Sequence, residues 1–354
     1  MKRYVGIFIT AVVVLGAATF AMFTPQIVSA SSAALSILPK KNYTIEPGKS
    51  VKDTLVIRNL DAAEDLELQL RVVDFTYTDD GGTPKLMLAE DAPQTTWSLK
   101  PFLTVPKTVT IPPKSSKTLD MSVAIPANQG AGSFYSAIVY SSGASEGGNV
   151  GLSASGVTLV FASVPGKVDE NLKLEKFGAY KPPEGDNEGQ YTFITGDEPK
   201  VMAYTLKNEG NVTEAPVGSI TLRDLFGRET VINDVNPNSS LALIGQTRTY
   251  TACIKLQTEK VEFDGGQSES KECASPSLWP GYYSASLNLF YGQNGNRTQE
   301  ITGGGWFWYL PLWFVVTMLI LLLVVAYFVR QLVMKVRHMM YGETQTKKKS
   351  RRRR

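Results

Sequence analysis

From Trp306 to Val329 the chain runs 24 residues without a charged side chain, and no other feature constrains its fold as strongly. A helix of that length spans about 36 Å at roughly 1.5 Å per residue, enough to cross the hydrocarbon core of a bilayer. A soluble helix this long normally keeps a polar face, which is missing here. Trp306, Trp308, Tyr309 and Trp313 crowd the beginning of the run, where amphipathic rings suit the headgroup layer. Arg330, the first charge after it, opens a tail, residues 330–354, that also holds Lys335, Arg337, Lys347 to Lys349 and Arg351 to Arg354. Basic residues stay on the cytoplasmic side. The expectation is one transmembrane helix over 306–329, with the aromatic end outside and a basic cytoplasmic tail.

A second apolar run, Val5 to Phe23, follows Lys2 and Arg3 and precedes Val28-Ser29-Ala30. That order is expected of a signal peptide over residues 1–30, cleaved after Ala30 or retained as an uncleaved anchor. Either way the chain between the two runs lies outside the cytoplasm of a single-pass, type I cell-membrane protein. Between them stand 24 basic and 32 acidic residues, so the exterior is acidic although the whole chain carries +3. An acidic exterior excludes the electrostatic footprint of nucleic-acid binding.

The exterior reads as strands and turns. Leu66, Leu68, Leu70 and Val72 alternate with polar residues, as do Leu119, Met121, Val123 and Ile125, and a period of two marks half-buried strands. Phe134 to Tyr140 and Val157 to Val164 are apolar on both faces, as central sheet strands are. Turn clusters separate them at Glu46-Pro47-Gly48, Asp79-Asp80-Gly81-Gly82, Pro112-Pro113 and Asn128-Gln129-Gly130. No amphipathic helix of three turns precedes residue 306. This spacing predicts antiparallel sandwiches of the immunoglobulin type.

A weak internal repeat predicts two of them. Leu55-Val56-Ile57-Arg58-Asn59 matches Tyr204-Thr205-Leu206-Lys207-Asn208, and Gly132-Ser133-Phe134-Tyr135 matches Gly281-Tyr282-Tyr283 at a comparable separation. The first sandwich is expected over 31–167 and the second over 168–302, with Gly303-Gly304-Gly305 as a flexible joint above the membrane. The Gly-x-Tyr elements have the form of the tyrosine that enters a late sandwich strand and bonds back to an earlier turn.

The two cysteines, Cys253 and Cys273, fall in the exported second unit. In an oxidising compartment they are expected to form a disulfide closing the loop Ile254 to Glu272. A redox or metal pair is the weaker reading, because the spacing is not Cys-x-x-Cys and no further cysteine exists.

Chemistry is mostly excluded. The single histidine, His338, follows the apolar run, so the exterior can assemble no Ser-His-Asp triad, Cys-His pair or His-ligated zinc. A paired-carboxylate site needs only Asp and Glu, but Asp74, Asp79, Glu184 and Asp186 sit in or beside turns, where solvated acids are commoner. There is no Gly-x-Gly-x-x-Gly or P-loop pattern, so no cofactor, catalytic residue or metal ligand is expected. The sequons at Asn42, Asn211, Asn238 and Asn296 are glycan acceptors only in a eukaryotic host.

Ile37-Leu38-Pro39-Lys40-Lys41-Asn42-Tyr43-Thr44-Ile45-Glu46-Pro47-Gly48, the strand ending at Asn59, and Ile125-Pro126 leading into Gly132-Ser133-Phe134-Tyr135 resemble the first domain of the WxL-interacting cell-surface proteins of bacteria. Asn208-Glu209-Gly210-Asn211-Val212, Pro216 to Ile220, Asp224-Leu225-Phe226-Gly227 and Gly281-Tyr282-Tyr283 before the apolar run resemble the rest of that architecture. The resemblance implies two immunoglobulin-like domains and a C-terminal anchor, the first domain on peptidoglycan and the second on other surface proteins. It implies no ligand-contacting residue, and the Cys253–Cys273 loop departs from it. Trp97-Ser98-Leu99 spells W-x-L once and reads as core packing. The function expected is therefore a non-catalytic, membrane-anchored binding or scaffold protein; the alternative is a chaperone-like assembly subunit that pairs an edge strand with exported clients.

Overall fold

A computed structural model describes residues 35–77, 82–89, 92, 94–142, 154–185, 187–263, 266–292 and 298–350. The expected signal peptide, Asp79 to Gly81, Asp186, Asn296 and Arg351 to Arg354 lie outside these residues. The chain is mainly β: two tandem immunoglobulin-like sandwiches followed by one long apolar helix.

In the first sandwich, a four-stranded sheet of order β1-β3-β9-β7 is built from β1 (Leu35–Ser36), β3 (Ser50–Asn59), β9 (Ser116–Ala124) and β7 (Leu103–Thr104). It faces a five-stranded sheet of order β2-β11-β10-β4-β8, from β2 (Lys40–Thr44), β11 (Ala154–Val164), β10 (Gly132–Ser142), β4 (Leu66–Val73) and β8 (Thr108–Ile111). The segment 35–44 changes sheets between β1 and β2, so β1 runs antiparallel to β3 while β2 runs parallel to β11. Leu119, Met121 and Val123 of β9 point inward onto Leu68, Leu70 and Ile138, as their alternation requires.

The second sandwich repeats the plan. One sheet, of order β13-β12-β15-β18, comprises β13 (Gln190–Thr192), β12 (Leu172–Lys181), β15 (Val201–Asn208) and β18 (Thr247–Cys253). The other, of order β14-β22-β21-β16-β17, comprises β14 (Ile194–Thr195), β22 (Gln299–Tyr309), β21 (Gly281–Tyr291), β16 (Val217–Asp224) and β17 (Glu229–Ile232). Here β14 runs parallel to the last strand, as β2 does to β11.

The repeated Asn marks the same device in both units. Asn59 Nδ2 donates to the carbonyls of Glu64 (2.9 Å) and Ile111 (3.0 Å), and its Oδ1 accepts from the N–H of Asp61 (2.9 Å). Asn208 Nδ2 donates to Val212 (2.7 Å) and Ala242 (2.9 Å), and its Oδ1 accepts from Gly210 (3.0 Å). Each buried amide thus satisfies the backbone where a strand turns away from its sheet. The tyrosines diverge. Tyr283 donates to the Trp279 carbonyl at 2.8 Å, the back-bond expected of it. Tyr135 instead packs between the sandwiches.

That junction explains why β10 is apolar on both faces. Phe134, Ile138 and Tyr140 enter the first core, while Tyr135, Ala137 and Val139 join Phe75, Phe161 and Leu243 in a separate buried cluster. Leu243 comes from the second sandwich, so the neighbouring domain covers part of the outward face of β10, and residues of the first sandwich cover the rest. The hairpin of β5 (Phe75–Tyr77) and β6 (Pro84–Leu86) closes the cluster, and Trp97 stacks on Tyr135 at 6.0 Å. Trp97-Ser98-Leu99 is therefore packing, with Ser98 and Leu99 buried. Asn211 ties the backbones: its carbonyl accepts from Ser133 (3.0 Å), its Nδ2 donates to Ala131 (3.1 Å), and its Oδ1 accepts from Asp169 (2.8 Å). Gly132, at φ +151, is required by that approach, because a Cβ there would lie 2.8 Å from the Asn211 carbonyl oxygen.

Two boundaries are corrected. The second sandwich extends to Tyr309, because β22 is the strand that closes its five-stranded sheet: Phe307 is fully buried and stacks on Tyr283 at 5.1 Å. Gly303 to Gly305 are not a flexible joint but the middle of β22, where the facing sheet comes close. A Cβ on Gly303 would lie 2.5 Å from Leu174 Cδ2, and one on Gly305 3.1 Å from the Phe177 carbonyl oxygen. The helix α1 (Leu312–Ser350) begins only after Leu310 and Pro311, the proline sitting where a helix start tolerates it. Leu312–Met339 is long and apolar enough to cross a membrane, and its side chains are exposed. The charge-free part within it, from Leu312 to Val329, spans about 27 Å.

Candidate functional site: the cleft between the sandwiches

A cleft of about 560 Å³ opens beside the junction. One wall is β2 with Lys40, Asn42 and Thr44, backed by Phe161 of β11; the other is Thr213-Glu214-Ala215 with Leu241 and Gly292. β2 is the last strand of its sheet, so one row of its backbone groups has no strand partner. Lys40 holds its ammonium over the Phe161 ring, 4.9 Å from the centroid. Burial pulls its pKa below the ordinary lysine value.

Glu214 is the anomalous group. It is 2% exposed, and its backbone is fixed by paired hydrogen bonds to Ala242 at 2.7 and 3.2 Å. Oε2 accepts from the Gly292 N–H at 3.1 Å, while Oε1 is buried with no protein partner among the described residues. Burial pushes its carboxyl up to about 7, and the Glu170 carboxylate adds to the shift against the opposing Gly292 bond. Near neutrality this carboxyl can donate or accept a hydrogen bond, and Glu214 is one of the residues lining the cleft.

A side-chain strap borders the cleft's β2 wall. Asp53 Oδ2 of β3 accepts from Lys41 Nζ (2.6 Å) and Tyr43 Oη (2.5 Å), both on β2. These bonds, with the Thr54 N–H, hold the Asp53 carboxyl down to about 2. The strap fixes β2 at the sandwich corner without occupying its backbone edge.

The sequence-derived residues lie elsewhere. Cys253 and Cys273 are disulfide-bonded, with Cα atoms 5.0 Å apart, at the base of a hairpin of β19 (Leu256–Phe263) and β20 (Gly266–Cys273). Trp306, Trp308 and Tyr309, expected in the first helical turns, lie on β22, while Trp313 stands in the first turn of α1. Arg330 lies within α1, directly after its charge-free part. Asp74 is buried and accepts hydrogen bonds from Ser98 (2.7 Å), Ser136 (3.0 Å) and Thr95 (3.2 Å), which makes it a tie within the first sandwich. Glu184 is exposed in a turn. Among the described residues no group of three or more His, Cys, Asp or Glu could hold a metal ion.

Sequence reasoning missed Lys40 and Glu214. Glu214 follows a run that reads as an ordinary polar turn, and its burial comes from segments distant in sequence, around Ala242 and Gly292.

No family model and no curated protein matches the chain. Among solved structures, it is similar to a chain of a chaperone–tip adhesin complex of CFA/I fimbriae biogenesis (TM-score 0.36, 10% identity, 77% of this chain and 98% of that one). It is also similar to the class 5 fimbriae chaperone CfaA (TM-score 0.32, 11% identity, 78% and 100%) and the Escherichia coli chaperone DraB (TM-score 0.30, 14% identity, 68% and 97%).

Proposed function

We propose that this chain is a membrane-anchored, non-catalytic surface-binding protein. α1 crosses the cell membrane once, its basic end lies in the cytoplasm, and the two sandwiches stand outside as one jointed-free arm that presents the interdomain cleft. The observation that carries the reading is the cleft itself, lined on one wall by the open edge of β2 with Lys40 and on the other by Glu214, a buried acid: a concave site with a few polar groups and a perturbed carboxyl suits a ligand. The partners that the family resemblance implies are peptidoglycan and other cell-surface proteins. The full chain in lipid nanodiscs is expected to cosediment with isolated peptidoglycan or to bind exported proteins encoded beside it, and Lys40→Ala with Glu214→Ala to weaken that binding at least tenfold. Binding unaffected by both changes moves the ligand out of the cleft; binding to neither class of partner removes the reading.

A second reading, a chaperone-like subunit for exported proteins, is favoured by the open edge of β2, because an extended client segment can extend that sheet. It predicts slowed amide exchange over Lys40–Thr44 when client is present. Unchanged exchange with client bound would rule it out.

A further inference from the structure

Six aromatic side chains before α1 are exposed among the described residues: Phe193, Phe226, Trp279, Phe290, Trp306 and Trp308. Scattered exposure of this kind needs no explanation, but five of these six gather at one end of the second sandwich. The strand register places them there. Trp308 pairs with Tyr282 on one side and Ile194 on the other, Trp279 precedes β21 where Gly281 meets Tyr309, and Asp224 opposite Tyr283 leads into Leu225 and Phe226. Phe193 and Trp306 touch, with ring centroids 5.4 Å apart.

The exposed Phe226 is held out by a built turn. Asp224 Oδ1 accepts from the N–H groups of Phe226 (2.8 Å) and Arg228 (2.9 Å), and Oδ2 accepts from Arg228 Nε (2.6 Å). The Arg228 guanidinium lies over the Phe226 ring, 5.7 Å from its centroid. Of the charges at this end, Arg228 pairs with Asp224 and Arg223 with Glu229, Glu198 accepts hydrogen bonds from Ser275 and the Leu278 N–H, and Asp197 stands near Tyr309. A turn whose polar groups are satisfied internally, and whose apolar ring points away from the protein, is shaped to meet something outside.

The chain says what that is. Tyr309 ends β22 at this same end, and only Leu310 and Pro311 separate it from the apolar helix. The Leu310 N–H bonds the Thr195 carbonyl (2.8 Å) and Phe314 bonds back to Pro311 (2.9 Å), so the exit is short and tethered. Any bilayer entered by α1 must therefore begin within a few residues of the cluster. We propose that the helix-proximal end of the second sandwich is a lipid-contact surface, with Phe226, Trp279, Trp306 and Trp308 seated in the headgroup layer of the bilayer that α1 enters. Large amphipathic rings are favoured at that depth. The consequence is orientation: the arm is fixed at two places, by the helix and by its aromatic end, and so presents the cleft at a set angle.

The inference rests on the anchoring part of the proposed function, and two single-tryptophan forms of the full chain separate them. One keeps only Trp313 and the other only Trp279, the remaining tryptophans being replaced by phenylalanine, each reconstituted in phosphatidylcholine–phosphatidylglycerol vesicles. Lipid spin-labelled at the headgroup is expected to lower Trp279 emission at least twofold, with little quenching by aqueous iodide. Phe226→Glu with Leu225→Glu, a change confined to an exposed turn, is expected to reverse that pattern. Quenching of Trp279 by iodide and not by lipid overturns the proposal, as does quenching by neither, which would mean a second copy or another protein covers the site. Failure of labelled lipid, at headgroup or acyl-chain depth, to quench Trp313 would overturn the anchoring reading itself.

Discussion

At the scale of single residues, the energetics concentrate on buried polar groups whose hydrogen bonds are complete in one case and incomplete in another. Asn59 and Asn208 each satisfy three backbone groups, so Asn208→Ala leaves two carbonyls and one N–H without partners. The expected loss is about 2–4 kcal/mol in urea unfolding, and Asn59→Ala should match it. Glu214 behaves oppositely. Its folded-state pKa of about 7 lies above the ordinary 4.5, so the folded protein holds the proton more tightly. Its stabilising contribution is complete below the unfolded value and is lost as pH rises through about 7. Glu214→Gln removes the buried charge while keeping the hydrogen bond from Gly292. It should raise stability at pH 8 by on the order of 1–2 kcal/mol, allowing for screening by cleft water, and change little at pH 5. A thermal midpoint that shifts equally at both pH values would contradict the assignment.

At the scale of elements, β22 is the informative strand. Its Gly303-Gly304-Gly305 resembles a linker in composition, yet the facing strand β12 comes close at Gly303 and Gly305, where a Cβ would crowd Leu174 and Phe177, while Gly304 points into open space. Gly303→Val is therefore expected to destabilise the second sandwich by about 1–3 kcal/mol through overpacking against Leu174. A flexible joint would tolerate the same change, and chemical denaturation of the purified chain distinguishes the two. The strand also shows why periodicity misplaced the helix start. Trp306 to Tyr309 carry no charge, so composition runs unbroken from strand into helix, whereas alternation of exposed Trp306, buried Phe307 and exposed Trp308 is a strand pattern too short to stand out beside eighteen uncharged residues.

At the scale of the whole molecule, the junction makes two domains into one mechanical unit. Tyr135, Phe75 and Phe161 share one buried cluster with Leu243, and Leu241 and Ile244 pack against it from the second sandwich. Leu243→Asp places a charge in that cluster and should separate the domains. One calorimetric transition of the exterior is expected to become two, with the first sandwich melting at the lower temperature because β10 loses part of the cover of its outward face. Persistence of a single transition would show that the sandwiches are coupled by the Asn211 backbone ties instead.

Alternation of apolar residues, turn chemistry and the long charge-free run were sufficient to specify two sandwiches and one helix able to cross a membrane, and the two cysteines were close enough in sequence to read as a bridge. These are local properties, written in neighbouring residues. Where the helix begins, why Gly303 and Gly305 carry no side chain, what Tyr135 does and which acid is perturbed were decided by packing between segments distant along the chain. Burial of Glu214 in particular depends on segments around Ala242 and Gly292 and on a cleft shared with the other domain, and no pattern around residue 214 encodes that proximity.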